Sequence, residues 1–148
     1  MYKRVLLPLD GSDLAEQALP HAVAQAERFQ AELILLRVLE MLPRDRQWSG
    51  AVVKEGFELT DKLARNYLGQ IAARIIHEHG TPVQAVTADG RPHVEIIHFA
   101  ENNKVDLIVM STRGQSGFSR WLMGSVAERV VRGVRIPVLL IHAKENEP

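Results

Sequence analysis

The feature that most constrains the fold is the way short apolar runs and longer helical patterns take turns along the chain. Five runs of strand length, Val5 to Leu9, Leu33 to Leu39, Pro82 to Ala88, Val105 to Met110 and Ile136 to Ile141, are separated by segments with helical spacing. The runs show no regular apolar–polar alternation, and the second is interrupted only by Arg37, as expected of strands covered on both faces. Such alternation of strands and helices predicts a parallel sheet with helices on both sides, an open, Rossmann-like α/β architecture. At 148 residues the whole chain, 1–148, is expected to form one domain with a substantial core.

The connecting segments carry their own signals. Pro8-Leu9-Asp10-Gly11-Ser12-Asp13 reads as a turn into a helix, with Asp13 and Glu16 spaced as a capping box. Leu14, Ala15, Ala18, Leu19, Ala22, Val23 and Ala26 continue at helical spacing, so Pro20 within them predicts a kink, not a break. Residues 40–56 contain Pro43, Trp48, Gly50 and Gly56 without a sustained period and read as a loop or lid. Phe57 to His79 reads as a long helix with Leu59, Leu63, Tyr67, Ile71, Ile75 and Ile76 marking its apolar face. Pro92 opens a helix running to about Asn102, Ser125 to Arg132 forms the last one, and the polar tail from Ala143 is expected to fray.

Composition narrows the function classes. Basic and acidic side chains number 18 each, for a formal net charge of zero, which gives no support for binding a long nucleic acid. The absence of cysteine excludes disulfides, thiolate catalysis and cysteine metal sites. The first apolar run ends at Pro8 and Asp10, too early for a signal-peptide core, and no stretch is long enough to span a membrane, so a cytoplasmic location is expected. His77 and His79 are two apart and His93 and His98 five apart, so neither pair has the spacing of helical metal ligands.

Chemistry concentrates between Val105 and Val131. An apolar strand there runs into a glycine-bearing polar loop and then a helix start, the arrangement that surrounds a phosphate with backbone N–H groups. Gly114, Gly117 and Gly124 permit close backbone approach, Val126 and Ala127 supply amides of a first helical turn, and Arg113 and Arg120 add positive charge. Ser125 with Glu128 also has the spacing of a capping box, and Asp10 before Gly11 is equally a turn-forming aspartate. The loop is not a P-loop, because no lysine follows a GxxxxG run, and no GxGxxG follows the first strand.

Gly114, nine residues, then Gly124-Ser125 matches the second half of a loop motif of the universal stress protein family, and the chain resembles that family throughout, from VLLPLDGS to GSVAERVVRGVRIPVLLI. Ser111 stands where the motif has its first glycine. A glycine needed there for positive φ would make serine costly, whereas a purely backbone role tolerates it. The resemblance implies a five-stranded sheet of order 3-2-1-4-5 and an ATP site at its switch point. In that site Pro8 and Val38 would border the adenosine, with Val38 offering backbone to adenine. Met110 and Ser111 would pass under the ribose, Gly114 would approach the phosphates, and Gly124, Ser125 and Val126 would cradle them. Asp10 would lie near the ribose and phosphates or hold Mg²⁺ through water, a cation that keeps most of its waters. The resemblance also implies a homodimer, for which the apolar strand 136–141 is a plausible edge.

The resulting expectation is a protein that binds ATP as a regulatory or sensing ligand, with at most slow hydrolysis, since neither a P-loop lysine nor a general base is identifiable. Two alternatives belong to other classes: a nucleotide-free dimeric interaction module of the same fold, and a transferase that uses ATP.

Overall fold

The computed structural model describes residues 1–40, 50–113 and 123–145. Five strands, β1 (Arg4–Pro8), β2 (Glu32–Leu39), β3 (Val83–Asp89), β4 (Leu107–Ser111) and β5 (Val138–Ile141), form one sheet of order β3-β2-β1-β4-β5. All four pairings are parallel, from Arg4 opposite Glu32 at one end of β1 to Pro8 opposite Leu36 at the other. The helices are α1 (Asp13–Glu16), α2 (Leu19–Phe29), α3 (Ala51–His79), α4 (Pro92–Asn102) and α5 (Ser125–Gly133).

Both faces of the sheet's centre are covered, which explains why β1, β2 and β4 read as largely apolar runs, whereas the edge strand β3 has no fully buried residue. Val5, Leu7, Leu33 and Leu35 pack with Ala22, Val23 and Ala26 of α2 and with Leu68, Ile71 and Ile75 of α3. Leu6, Ile34, Leu36, Ile108 and Met110 face the other way, against Ile96 and Ala100 of α4 and Ala127 and Val130 of α5. The helices change sides because the crossovers keep one hand: β1 to β3 build outward in one direction, β4 and β5 in the other. At the amino ends of the strands Arg4 ties the sheet together, pairing with Glu32 at 3.0 Å and donating to Gln84 at 3.2 Å and to the carbonyl of Asn103.

Several local expectations give way. The kinked first helix is instead two helices: α1 ends at Glu16, and Pro20 lies in the first turn of α2, where its missing N–H removes no hydrogen bond. Ser12, not Asp13, caps α1, its Oγ accepting from the Ala15 amide at 3.1 Å. The long helix begins at Ala51, six residues before Phe57, so part of the expected loop is helical, while positions 41–49 lie outside the described residues. Its buried stripe is Ala64, Leu68, Ile71 and Ile75; Leu59 and Leu63 are each 59% exposed, and Ile76 also faces out. The tail is docked, not frayed, over Ala143 to Glu145. Ala143 donates to Thr112 Oγ1 at 3.3 Å, and Gln17 both donates to the Lys144 carbonyl (2.7 Å) and accepts from its amide (3.0 Å).

Candidate functional site

The strand order reverses beside β1, the position where open parallel sheets leave a crevice past the carboxyl ends of their strands. The backbone pattern shows what lines it. Leu9 donates to the Leu36 carbonyl at 2.9 Å, so Leu36 faces β1, while Leu39 accepts from Gly90 at 3.0 Å on the β3 side. Alternation along the strand then turns the N–H and C=O of Val38 toward β1, beyond the point where β1 has ended at Pro8. On β4 the amides of Ile108 and Thr112 bond the carbonyls of Pro137 and Ile141, which turns the backbone of Ser111 toward β1 in the same way. Val38 and Ser111 therefore turn backbone polar groups toward the space past β1 from its two neighbouring strands.

Ser111 is compatible with its place. No positive φ is recorded there, its side chain is buried, and its Oγ donates to the Arg113 carbonyl at 2.8 Å. The glycine of the family motif is thus not demanded by backbone conformation at this position. The side chains of Val38, Met110 and Val126 meet in the cluster on the α4 and α5 face, together with Met123 and Leu140. Pro8 closes β1 and is half-buried.

The N-terminus of α5 meets the same end of the sheet. Gly124 donates to the Thr112 carbonyl at 2.5 Å, which holds the helix start against the end of β4. A Cβ at Gly124 would lie 2.6 Å from that carbonyl oxygen and 3.4 Å from Arg113 Cα, so glycine serves the approach of one chain segment to another. The amide of Gly124 is committed to that bond. Glu128 makes the first intrahelical bond, to the Gly124 carbonyl at 3.0 Å, leaving the amides of Ser125, Val126 and Ala127 without an acceptor among the described residues. Ser125 is the first helical residue and does not cap, since Gly124 occupies the cap position without a side-chain bond. The capping-box reading of Ser125 and Glu128 is therefore set aside.

Asp10 follows the end of β1 and forms a turn: its Oδ1 accepts from the Ser12 amide at 2.9 Å and the Ser12 hydroxyl at 2.5 Å. The turn-forming role holds, and it fixes the carboxylate just past the end of β1. Arg113 leaves β4 with its side chain only 10% exposed and reaches Glu145 of the docked tail at 3.4 Å. Gly114, Gly117 and Arg120 lie outside the described residues.

Two residues escaped the reading of the sequence. Thr112 receives both the Gly124 amide and, on its hydroxyl, the Ala143 amide. Arg37, at the end of β2, lies over the Tyr67 ring at 5.7 Å and against Gly11. A lone cation in an otherwise apolar strand was the signal that could have found it. Among the described residues no group of three or more His, Asp or Glu side chains could hold a metal ion, and no helix is long and apolar enough to cross a membrane.

Known proteins share this architecture. Residues 1–142 match the family model described as the universal stress protein family. Universal stress protein MJ0531 of Methanocaldococcus jannaschii is 36% identical over 151 residues, covering 99% of this chain and 86% of that protein. Universal stress protein MJ0577 of the same organism is 33% identical over 160 residues, covering 99% and 98%. The solved structure of MJ0577 superposes with a TM-score of 0.79 over 99% of each chain. An Arabidopsis thaliana protein of the universal stress protein family, solved with AMP bound, shares the fold at 16% identity, with a TM-score of 0.68 over 97% of this chain and 94% of that one. With sheet order, family model and relatives in agreement over nearly its full length, the chain belongs to the universal stress protein family.

Proposed function

We propose that the crevice past the end of β1 binds ATP as a regulatory or sensing ligand, with little or no turnover. The observation that carries this reading is the set of amides on Ser125, Val126 and Ala127 at the start of a nine-residue helix held against the end of β4. Three aligned N–H donors and the positive end of the helix dipole suit a phosphate. The backbone polar groups of Val38 and Ser111 suit the adenosine, which Pro8 borders and under which Met110 passes. Gly124 and Ser125 bracket the phosphates, with Gly124 acting through its close packing; Gly114 and Gly117 complete the loop in this reading, and Arg113 adds positive charge. An adenine nucleotide in the Arabidopsis thaliana protein of the same fold supports the choice of ligand class.

A metal, if bound, arrives with the nucleotide. Asp10 is a single carboxylate whose Oδ1 already serves Ser12, and that donor set suits Mg²⁺ held through water and phosphate oxygens. Slow turnover follows from the missing P-loop lysine and the absence of an identifiable base. The same reading takes 1–148 as one domain and pairs two copies through the outer edge of β5, which is half-buried along its length.

The test is direct. Denaturing the purified protein and chromatographing the supernatant should release adenine nucleotide, and the stripped protein should rebind ATP with Mg²⁺. Absence of both would favour the nucleotide-free interaction module instead. Steady release of ADP or AMP at about 1 per second or faster would place it among ordinary enzymes. Sedimentation should give twice the chain mass, and a monomer would refute the β5 pairing.

A further inference from the structure

The turn that carries Asp10 is approached from the side by a residue of another strand. Gly11, the next residue, has φ +86°, in the left-handed region, and a Cβ there would overlap the Arg37 guanidinium. The guanidinium that borders this glycine also sits over the ring of Tyr67, 5.7 Å from its centroid. Among the described residues it makes no ion pair or hydrogen bond, and it borders both the ring and the Gly11 backbone. The side chain is half-buried, and α3 carries the ring. A planar, weakly hydrated cation suits such a slot, where an ammonium would not fill the same space.

We infer that Arg37 is a positioning residue for the phosphate and metal end of the nucleotide. Set against both Tyr67 and Gly11, it fixes the Asp10–Ser12 turn and so the direction of the Asp10 carboxylate. The inference rests on the ATP reading for its ligand but not for its clamp. Local electrostatics agree with this arrangement: burial is the main cause of Tyr67's raised pKa, with Glu16, Asp10 and Asp13 also raising it and Arg37 opposing them, so all four charges lie within reach of one ring. The Asp10 carboxylate is the group through which Arg37 would act, because its Oδ1 bonds both donors of Ser12 in the turn that Gly11 closes. Arg37 itself needs no contact with the ligand.

The test uses the full-length protein and two variants, Arg37→Met and Gly11→Ala. Both should weaken binding of ATP with Mg²⁺ by roughly tenfold, the scale of one desolvated cation–π contact, while binding of adenosine changes less than about twofold. Arg37→Lys should fall between, because it keeps the charge but not the plane. Amide hydrogen exchange, measured without nucleotide, should show Ser12 exchanging at least about tenfold faster in Arg37→Met with the sheet amides unchanged. Unchanged Ser12 exchange would overturn the clamp whatever the ligand. Faster exchange with equal losses of ATP and adenosine would reduce Arg37 to a structural residue and also overturn the inference. A wild-type protein that binds neither ligand, yet shows the exchange effect in Arg37→Met, would refute the ATP reading while leaving the clamp demonstrated.

Discussion

Replacing Gly124 by alanine tests the packing at the start of α5 with a single methyl group. The added carbon would sit 2.6 Å from the Thr112 carbonyl oxygen, well inside an ordinary contact, and the obstacle is backbone that cannot rotate aside. Relief requires the helix start to move off β4, lengthening the 2.5 Å bond from the Gly124 amide to that same oxygen. Overpacking of this kind costs about 1–3 kcal/mol and a weakened hydrogen bond about 1 kcal/mol. For a domain of this size each kcal/mol lowers Tm by about 2–4 °C, so a fall of roughly 5–10 °C is expected in calorimetry. The control is Gly69→Ala in the middle of α3, where an added Cβ meets nothing within 4 Å. That change should stabilise by about 0.5–1 kcal/mol through helix propensity. If Gly124→Ala melts with or above the wild type, the close approach does not constrain the protein and the reasoning fails. Titration of the same variant separates packing from function: displaced amides at Ser125 to Ala127 should weaken ATP more than adenosine.

Three further outcomes follow from individual contacts. Asp61 accepts from Arg65 and from Thr87, each at 2.8 Å, and these bonds, that to Arg65 foremost, hold its carboxyl below the ordinary range. A depressed carboxyl stabilises above its unfolded pKa and loses that contribution as pH falls through the folded value, so Asp61→Asn should melt below wild type at pH 7 and converge with it in acid; a gap that persists at low pH would contradict this. Burial above all pushes the Tyr67 phenol up to about 12. A raised pKa means the folded state resists ionisation, so stability should fall between pH 10 and about 12, and Tyr67→Phe, which also removes a buried hydroxyl without a partner among the described residues, should flatten that fall and be neutral or stabilising by up to about 1 kcal/mol near pH 7. Gln17→Ala removes both bonds to Lys144 and should speed carboxypeptidase removal of the tail with little change in Tm; unaltered digestion would mean that Gln17 does not hold it.

The parallel sheet was legible because its central strands β1, β2 and β4 are buried on both faces and leave largely apolar runs, and all five appear within a few residues of their expected bounds. The order 3-2-1-4-5 came from family resemblance, since no single run says which neighbour it will have. Local competition was harder to read. Pro20 could kink one helix or open another, and the choice fell to Ser12 capping a first short helix. On α3 two apolar stripes overlap, and only contact with β2 and β3 selects Ala64 and Leu68 over Leu59 and Leu63.

The candidate site divides along the same line. By itself the sequence determined the strand and helix start after Val105, and the turn at Asp10, because these depend on neighbours a few residues away. The tertiary structure alone decided that Gly124 spends its amide on Thr112, that Val38 and Ser111 turn their backbones toward one gap, and that Arg37 lies against Gly11. The first packs α5 onto the end of β4, the second needs β2 and β4 on either side of β1, and the third needs β2 beside β1. Backbone register and steric approach arise from that pairing, and no local pattern of residue types encodes them.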